Sequence, residues 1–239
     1  MAKKKAPPQI TEHPLFRELA LTQTMSADTL HNCLLKHSDE LDCRDGKGNT
    51  IGHVLAAQAV SISLLTIASK FQIRFRELRN DLAAPIHLAA NRRDEHGAAI
   101  VRWLCEHAGE DCNRPGPVGL QPLFIACHND CDPVMITALV NSGADVNAQH
   151  PPRQWTPLHV AARFSSREEV IYRLLQHGAD PNMGEIQGLK PADLIVLNKN
   201  LDRKGKGAIL LKEKTYGDLK GISRPRPFLP YFNKGKHHE

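Results

Sequence analysis

The sequence predicts an all-α solenoid of stacked helix-turn-helix units, and three observations carry that expectation. A heptapeptide pattern recurs as "TIGHVLA" from Thr50, "APIHLAA" from Ala84, "QPLFIAC" from Gln121, "TPLHVAA" from Thr156 and "KPADLIV" from Lys190. The starts lie 34, 37, 35 and 34 residues apart, the period of a repeat built from one small supersecondary unit. A second pattern follows the first: "MITALVNSGADVN" (135–147), "VIYRLLQHGADPN" (170–182) and the looser "IVRWLCEHAGEDCN" (100–113), which has one extra residue before its Asn. The third observation is composition. Aromatics make up 5% of a chain that is 41% hydrophobic and 24% charged, which suits slim Ala and Leu helices better than one large spherical core.

The unit from Thr156 shows the logic residue by residue. Thr156 is an N-cap, because its hydroxyl can accept a bond from a free amide of the first turn. Pro157 stands at the first helical position, where its missing N–H costs nothing. Leu158, Ala161 and Ala162 make a slim helix that neighbours can approach closely. "SREE" (166–169) has the Ser-x-x-Glu form of a capping box and is expected to open the second helix. Val170, Ile171, Leu174 and Leu175 lie on one face of that helix. Gly178 follows, the usual residue past a helix end. Each unit is therefore helix, turn, helix and extended turn, and it must stack because it cannot bury its apolar face alone.

The ends depart from the pattern. Residues 12–42 read as two amphipathic helices, with Ser26 an N-cap and Leu30, Cys33 and Leu34 on an apolar face, which makes an N-terminal cap. "GKGAILLKEK" (205–214) reads as a last half-unit helix. The expected organisation is a basic disordered N-terminus at 1–11 and a solenoid at 12–215. The solenoid comprises a cap at 12–42, repeats at about 45–187 and a C-terminal cap at 188–215. A basic, Pro- and aromatic-rich tail follows at 216–239, either mobile or strapped along the solenoid by Phe228, Tyr231 and Phe232.

Within the stack, "SKFQIRFRELRNDLA" (69–83) stands where the first unit should have a Gly-Ala-Asp turn. It is either an irregular turn with buried aromatics or a basic binding loop. "NRRDEHG" (91–97) adds two residues between the helices of the second unit. "QHPPRQW" (149–155) carries paired prolines at a hairpin tip.

"TPLHVAA" with "HGADPN" at this distance resembles the ankyrin-repeat family, over roughly residues 45–197. The resemblance implies that the recurring histidine, at His53, His87 and His159, is structural and ties a helix start to neighbouring loops. Phe124 replaces it in the third unit. The resemblance also implies that a concave surface of hairpin tips and first-helix faces holds a protein partner. The residue before the capping position is then Asn49, Ala83, Leu120 and Trp155. The pair after the small-residue step is Ala57 and Gln58, Asn91 and Arg92, His128 and Asn129, and Arg163 and Phe164. Trp, Phe and Arg dominate many interfaces. The expected partner-binding residues are Trp155, Arg163, Phe164, Arg153, Arg92, Asn91, His128 and Leu120. Local packing against the neighbouring turn is the competing reading for Trp155 and Phe164.

Other chemistry finds little support in the sequence. Cys105, His107, Cys112, Cys127, His128 and Cys131 form the most metal-like cluster, but they lack the paired Cys-x-x-Cys knuckles of structural zinc. "GKGNT" lacks the phosphate-loop pattern, and there is no Gly-x-Ser-x-Gly elbow. No catalytic residue, cofactor, metal or small-molecule substrate is therefore expected. Six cysteines without a disulfide framework point to reduced thiols in a cytosol-like compartment.

"MAKKKAPPQI" has no apolar run, so Sec export is not expected. The uncharged stretch at 54–69 is too short and polar to span a bilayer. Of the 31 Lys and Arg and 26 Asp and Glu, residues 199–239 hold 11 and 4, a net of +7; the rest hold 20 and 22, a net of −2. The basic character thus belongs to the C-terminal segment.

The expected function is a non-enzymatic, monomeric scaffold or adaptor binding a protein. One alternative is a secreted bacterial effector that binds a host protein in the host cytosol. The other is tethering to nucleic acid or an acidic membrane through the basic tail.

Overall fold

The computed structural model describes residues 13–20 and 25–217. The expectations for residues 1–11 and for Phe228, Tyr231 and Phe232 of the tail lie outside the described residues.

The described chain is all α-helix with short 3-10 turns and one isolated β-bridge. Its helices come in pairs: α1 (Pro14–Leu19) with α2 (Ala27–Lys36), α3 (Ile51–Gln58) with α4 (Ile62–Lys70), and α5 (Pro85–Ala90) with α6 (His96–His107). Then come α7 (Pro122–His128) with α8 (Pro133–Asn141), α9 (Pro157–Phe164) with α10 (Glu168–Gln176), and α11 (Pro191–Leu194) with α12 (Lys206–Tyr216). First helices pack on first helices, α3 on α5, α5 on α7, α7 on α9 and α9 on α11. Second helices form a parallel layer in the same way, from α2 to α12. One continuous apolar core runs between the layers, with Leu55, Ile86, Leu123 and Leu158 from the first helices and Leu65, Leu104, Leu139 and Leu174 from the second. The chain is an ankyrin-type solenoid in which each unit buries its face against the next.

The recurring histidine is the tie between units. In the fourth unit the Thr156 amide donates to His159 Nδ1 at 3.1 Å, and Thr156 Oγ1 lies 2.8 Å from the same nitrogen. The amide donor fixes the tautomer, so Nε2–H donates to the Leu189 carbonyl of the next turn at 3.0 Å. His53 repeats this with Thr50 and Ala83, and His87 with Ala84 and Arg114. All three rings are buried. In the unit from Lys190, Asp193 takes the role and accepts from the Lys190 amide at 2.8 Å.

Burial holds the three imidazoles below their ordinary value of 6.5. The fold needs them neutral, whereas the unfolded chain protonates near the ordinary value. Their contribution is therefore full above about pH 6.5 and is lost as pH falls below it. Thermal melts are expected to drop between about pH 7.5 and pH 5.5, with a flatter dependence in His159→Gln. A melting temperature unchanged over that range would contradict the buried, neutral assignment.

Asparagines at the tips add a second tie. Asn113 Nδ2 donates to Gly143 O at 2.8 Å, and its Oδ1 accepts from the Asp145 amide at 2.8 Å. Asn147 does the same to Gly178 and Asp180. Gly143 and Gly178 end their helices with φ of 102° and 87°, a backbone that favours glycine.

Some local expectations change. "SREE" does not form a capping box: α10 starts at Glu168, and the Arg167 amide donates to Ser165 Oγ. Ser166 is engaged elsewhere, with its amide and hydroxyl both on the Asp130 carboxylate at 2.7 Å. The loop at 69–83 is mainly a packing element. Phe75 is buried edge-on against Trp103, with centroids 5.0 Å apart, and Phe71 meets His31.

Gly52 is where that loop presses closest, since a Cβ there would lie 2.6 Å from the Arg74 carbonyl oxygen. Gly52→Ala is expected to destabilise by about 1–3 kcal/mol through this overpacking. Chemical denaturation measures it, and an unchanged midpoint would mean that the loop yields freely.

Candidate functional site

The hairpin tip before α9 and the first-helix faces of the third and fourth units enclose a cleft of about 240 Å³. Its floor and walls include Leu120, Phe124, His128, His150, Trp155 and Phe164. The tip is held by the His150 amide on Trp155 O at 2.8 Å, and its Pro151–Pro152 peptide is cis. His150 Nε2 reaches across to the Val118 carbonyl of the preceding tip at 3.1 Å.

Most of the expected partner-binding residues converge here. Trp155 is half-buried and runs nearly parallel to the His159 ring, at 18° and 6.4 Å. The Phe164 ring lies 6.0 Å from Trp155 and 4.8 Å from His128. The Arg153 guanidinium sits 5.6 Å from the Trp155 centroid, and that of Arg163 sits 5.0 Å from Phe164, both within cation–π range. The result is an aromatic wall with two cations on its rim. Phe164 is exposed, and the indole N–H of Trp155 has no acceptor among the described residues. Trp155 therefore packs locally and borders the cleft at once. Asn91 is exposed and lies outside the cleft lining, and its Oδ1 accepts from Asn129 Nδ2.

Arg92 does not belong to this surface. It is buried, and its Nη1 donates to Ala59 O at 2.8 Å at the C-terminal end of α3. Asp94 neutralises it at 2.8 Å and also accepts from the His96 and Gly97 amides at the start of α6. Arg92 and Asp94 of "NRRDEHG" thus form a strut that joins the end of α3 to the start of α6. Asn198 plays a matching part, donating to Ala162 O and Ser165 O at the end of α9.

Sequence reasoning missed Phe124, His150, Pro151, Pro152 and Val160 as lining residues. Phe124 carried a signal, because it breaks the histidine pattern. Its ring fills the histidine slot and lies 5.7 Å from His150. Val118 was also missed; it stands 84% exposed at the neighbouring tip.

The metal-like cluster does not converge. Cys127 and Cys131 are buried in the third unit, and burial pushes both thiols up, Cys131 to about 12. Among the described residues no group of three or more His, Cys, Asp or Glu side chains could hold a metal ion. No described helix is long and apolar enough to cross a membrane.

Paired helices, histidine ties and tip asparagines define an ankyrin-repeat fold, and comparison with known sequences agrees. Residues 86–184 match the family described as "Ankyrin repeats (3 copies)". It is 33% identical over 132 residues to mouse ankyrin repeat and SOCS box protein 5, which covers 53% of this chain and 36% of that protein. Human 2-5A-dependent ribonuclease is 39% identical over 69 residues, 29% of this chain and 9% of that protein. A BTB/POZ domain and ankyrin repeat-containing protein of Lotus japonicus is 40% identical over 67 residues, 28% of this chain and 14% of that protein. The chain thus spans well under half the length of each of these relatives. Ankyrin repeats are in general protein-interaction modules, typically without catalysis of their own.

Proposed function

We propose that this chain is a non-enzymatic scaffold that holds a protein partner in the cleft between the third and fourth units. The observation that carries the reading is the convergence of Trp155, Phe164, Phe124 and Leu120 on one cleft with Arg153 and Arg163 at its rim. Such a cleft suits a segment that inserts an apolar or aromatic side chain and sets a carboxylate near the two guanidinium groups. Exposed aromatic and arginine side chains around a central pocket are the usual anchors of interface energy.

The test is comparative capture from one cell extract, using the intact chain, Arg163→Glu, and Arg224→Ala with Arg226→Ala. The reading predicts proteins retained by the intact chain and the tail variant but lost with Arg163→Glu. Retention by Arg163→Glu with loss in the tail variant would move recognition to the basic C-terminal segment.

A further inference from the structure

The last turn of α6 and the tip that follows it bring two thiols into contact. Aligned on the tip asparagines Asn113, Asn147 and Asn182, the residues just before them are Cys112, Val146 and Pro181. Aligned on the preceding helix ends, the facing residues are Cys105, Val140 and Leu175. In the third and fourth units this pair is apolar. In the second unit both members are cysteine, and their sulfurs lie 2.7 Å apart.

The two thiols differ in environment. As residues, Cys105 is half-buried, whereas Cys112 is buried. The hydrogen bond from Cys112 holds Cys105 below the usual thiol range, helped by the Ser142 hydroxyl of the next unit. The same contact pushes Cys112 up. Cys105 is thus the thiol that ionises first, and thiolate is the nucleophile in thiol oxidation.

We propose that Cys105 and Cys112 form a redox modification site, in which hydrogen peroxide converts the pair to an intramolecular disulfide. The Cys105 thiolate attacks a peroxide oxygen, the O–O bond breaks, and hydroxide leaves and is protonated to water, giving the sulfenic acid. Cys112 sulfur then attacks the Cys105 sulfur and the S–O bond breaks. The departing hydroxide takes up the Cys112 proton as a second water. Two thiols and one peroxide give one disulfide and two waters, with two electrons passing from sulfur to oxygen. The product staples the last turn of α6 to the tip whose Asn113 clamps Gly143 and Asp145 of the next unit. Closing this loop removes conformations from the unfolded chain.

The experiment uses the full chain, reduced and then exposed to hydrogen peroxide. Remaining thiols are alkylated, and the denatured protein is cut after glutamate, which separates the two cysteines at Glu106 and Glu110. The expected result is a peptide pair joined through Cys105 and Cys112, lighter by two hydrogens and reversed by dithiothreitol, in most chains. The oxidised chain should also melt higher than the reduced one. In Cys112→Ser the linkage should be absent and the Cys105 sulfenic acid should be captured by dimedone. Joining of Cys105 to any other cysteine, or oxidation of Cys105 with Cys112 still alkylated in the unsubstituted chain, overturns the proposal. Should Cys112→Ser fold poorly, Cys105→Ser provides the second arm: Cys112 should then resist peroxide, and its ready oxidation there would contradict the assigned roles.

Discussion

His159→Ala is expected to lower the stability of the chain by about 1–3 kcal/mol, the cost of stranding buried polar partners. The ring satisfies three groups at once: the Thr156 amide, the Thr156 hydroxyl and the Leu189 carbonyl. It is also fully buried, so truncation removes packed atoms along with the bonds. The loss should fall on the joint between the fourth unit and the one after it, because Leu189 belongs to the next turn. Hydrogen exchange should therefore show the amides of α11 opening more readily than those of α3. If His159→Ala changed partner binding with an unchanged melting curve, the ring would be a recognition residue and the structural account would fail.

Trp155→Ala and Phe164→Ala are expected to weaken partner binding by about 2 kcal/mol or more each, near thirtyfold in affinity. Arg173→Ala, on the second-helix layer and paired with Glu169 at 3.1 Å, is the comparison that should leave binding unchanged. The two aromatics carry different burdens. Phe164 is exposed, so its loss should leave the melting temperature nearly unchanged. Trp155 is half-buried against His159, so its loss should cost some stability as well. Affinity must therefore be measured at a temperature where each variant is fully folded. Normal binding by both variants would remove the cleft from the account.

Much of this architecture was legible in the sequence because each unit repeats its own local chemistry. Pro at the first helical position, small residues on the inner helix and Gly past the outer one are readable from a single copy, and recurrence rules out coincidence. The histidine role followed from the family resemblance, and the structure supplies its partners. What escaped was side-chain destiny where the pattern bends. The family resemblance put Arg92 on the partner face, but its guanidinium points inward onto the end of α3 and pairs with Asp94. "SREE" had the form of a capping box, but Asp130, more than thirty residues earlier, recruited Ser166. The Cys105–Cys112 contact depends on one extra residue in a turn, and period counting registers that residue only as a misalignment. Such competition between local signals and distant partners is invisible without the packed neighbours.

The most direct test of the central claim is site-specific photo-crosslinking from the cleft. A photoreactive phenylalanine analogue replaces Phe164 on the cleft wall or, in a second protein, Tyr172 on the exposed side of α10. Each is irradiated in cell extract, and the adducts are identified by mass spectrometry. The account predicts that the Phe164 position yields a discrete adduct which disappears when Arg163→Glu is added, while the Tyr172 position yields none of it. The same adduct from both positions, or one from Tyr172 alone, would contradict recognition through the cleft.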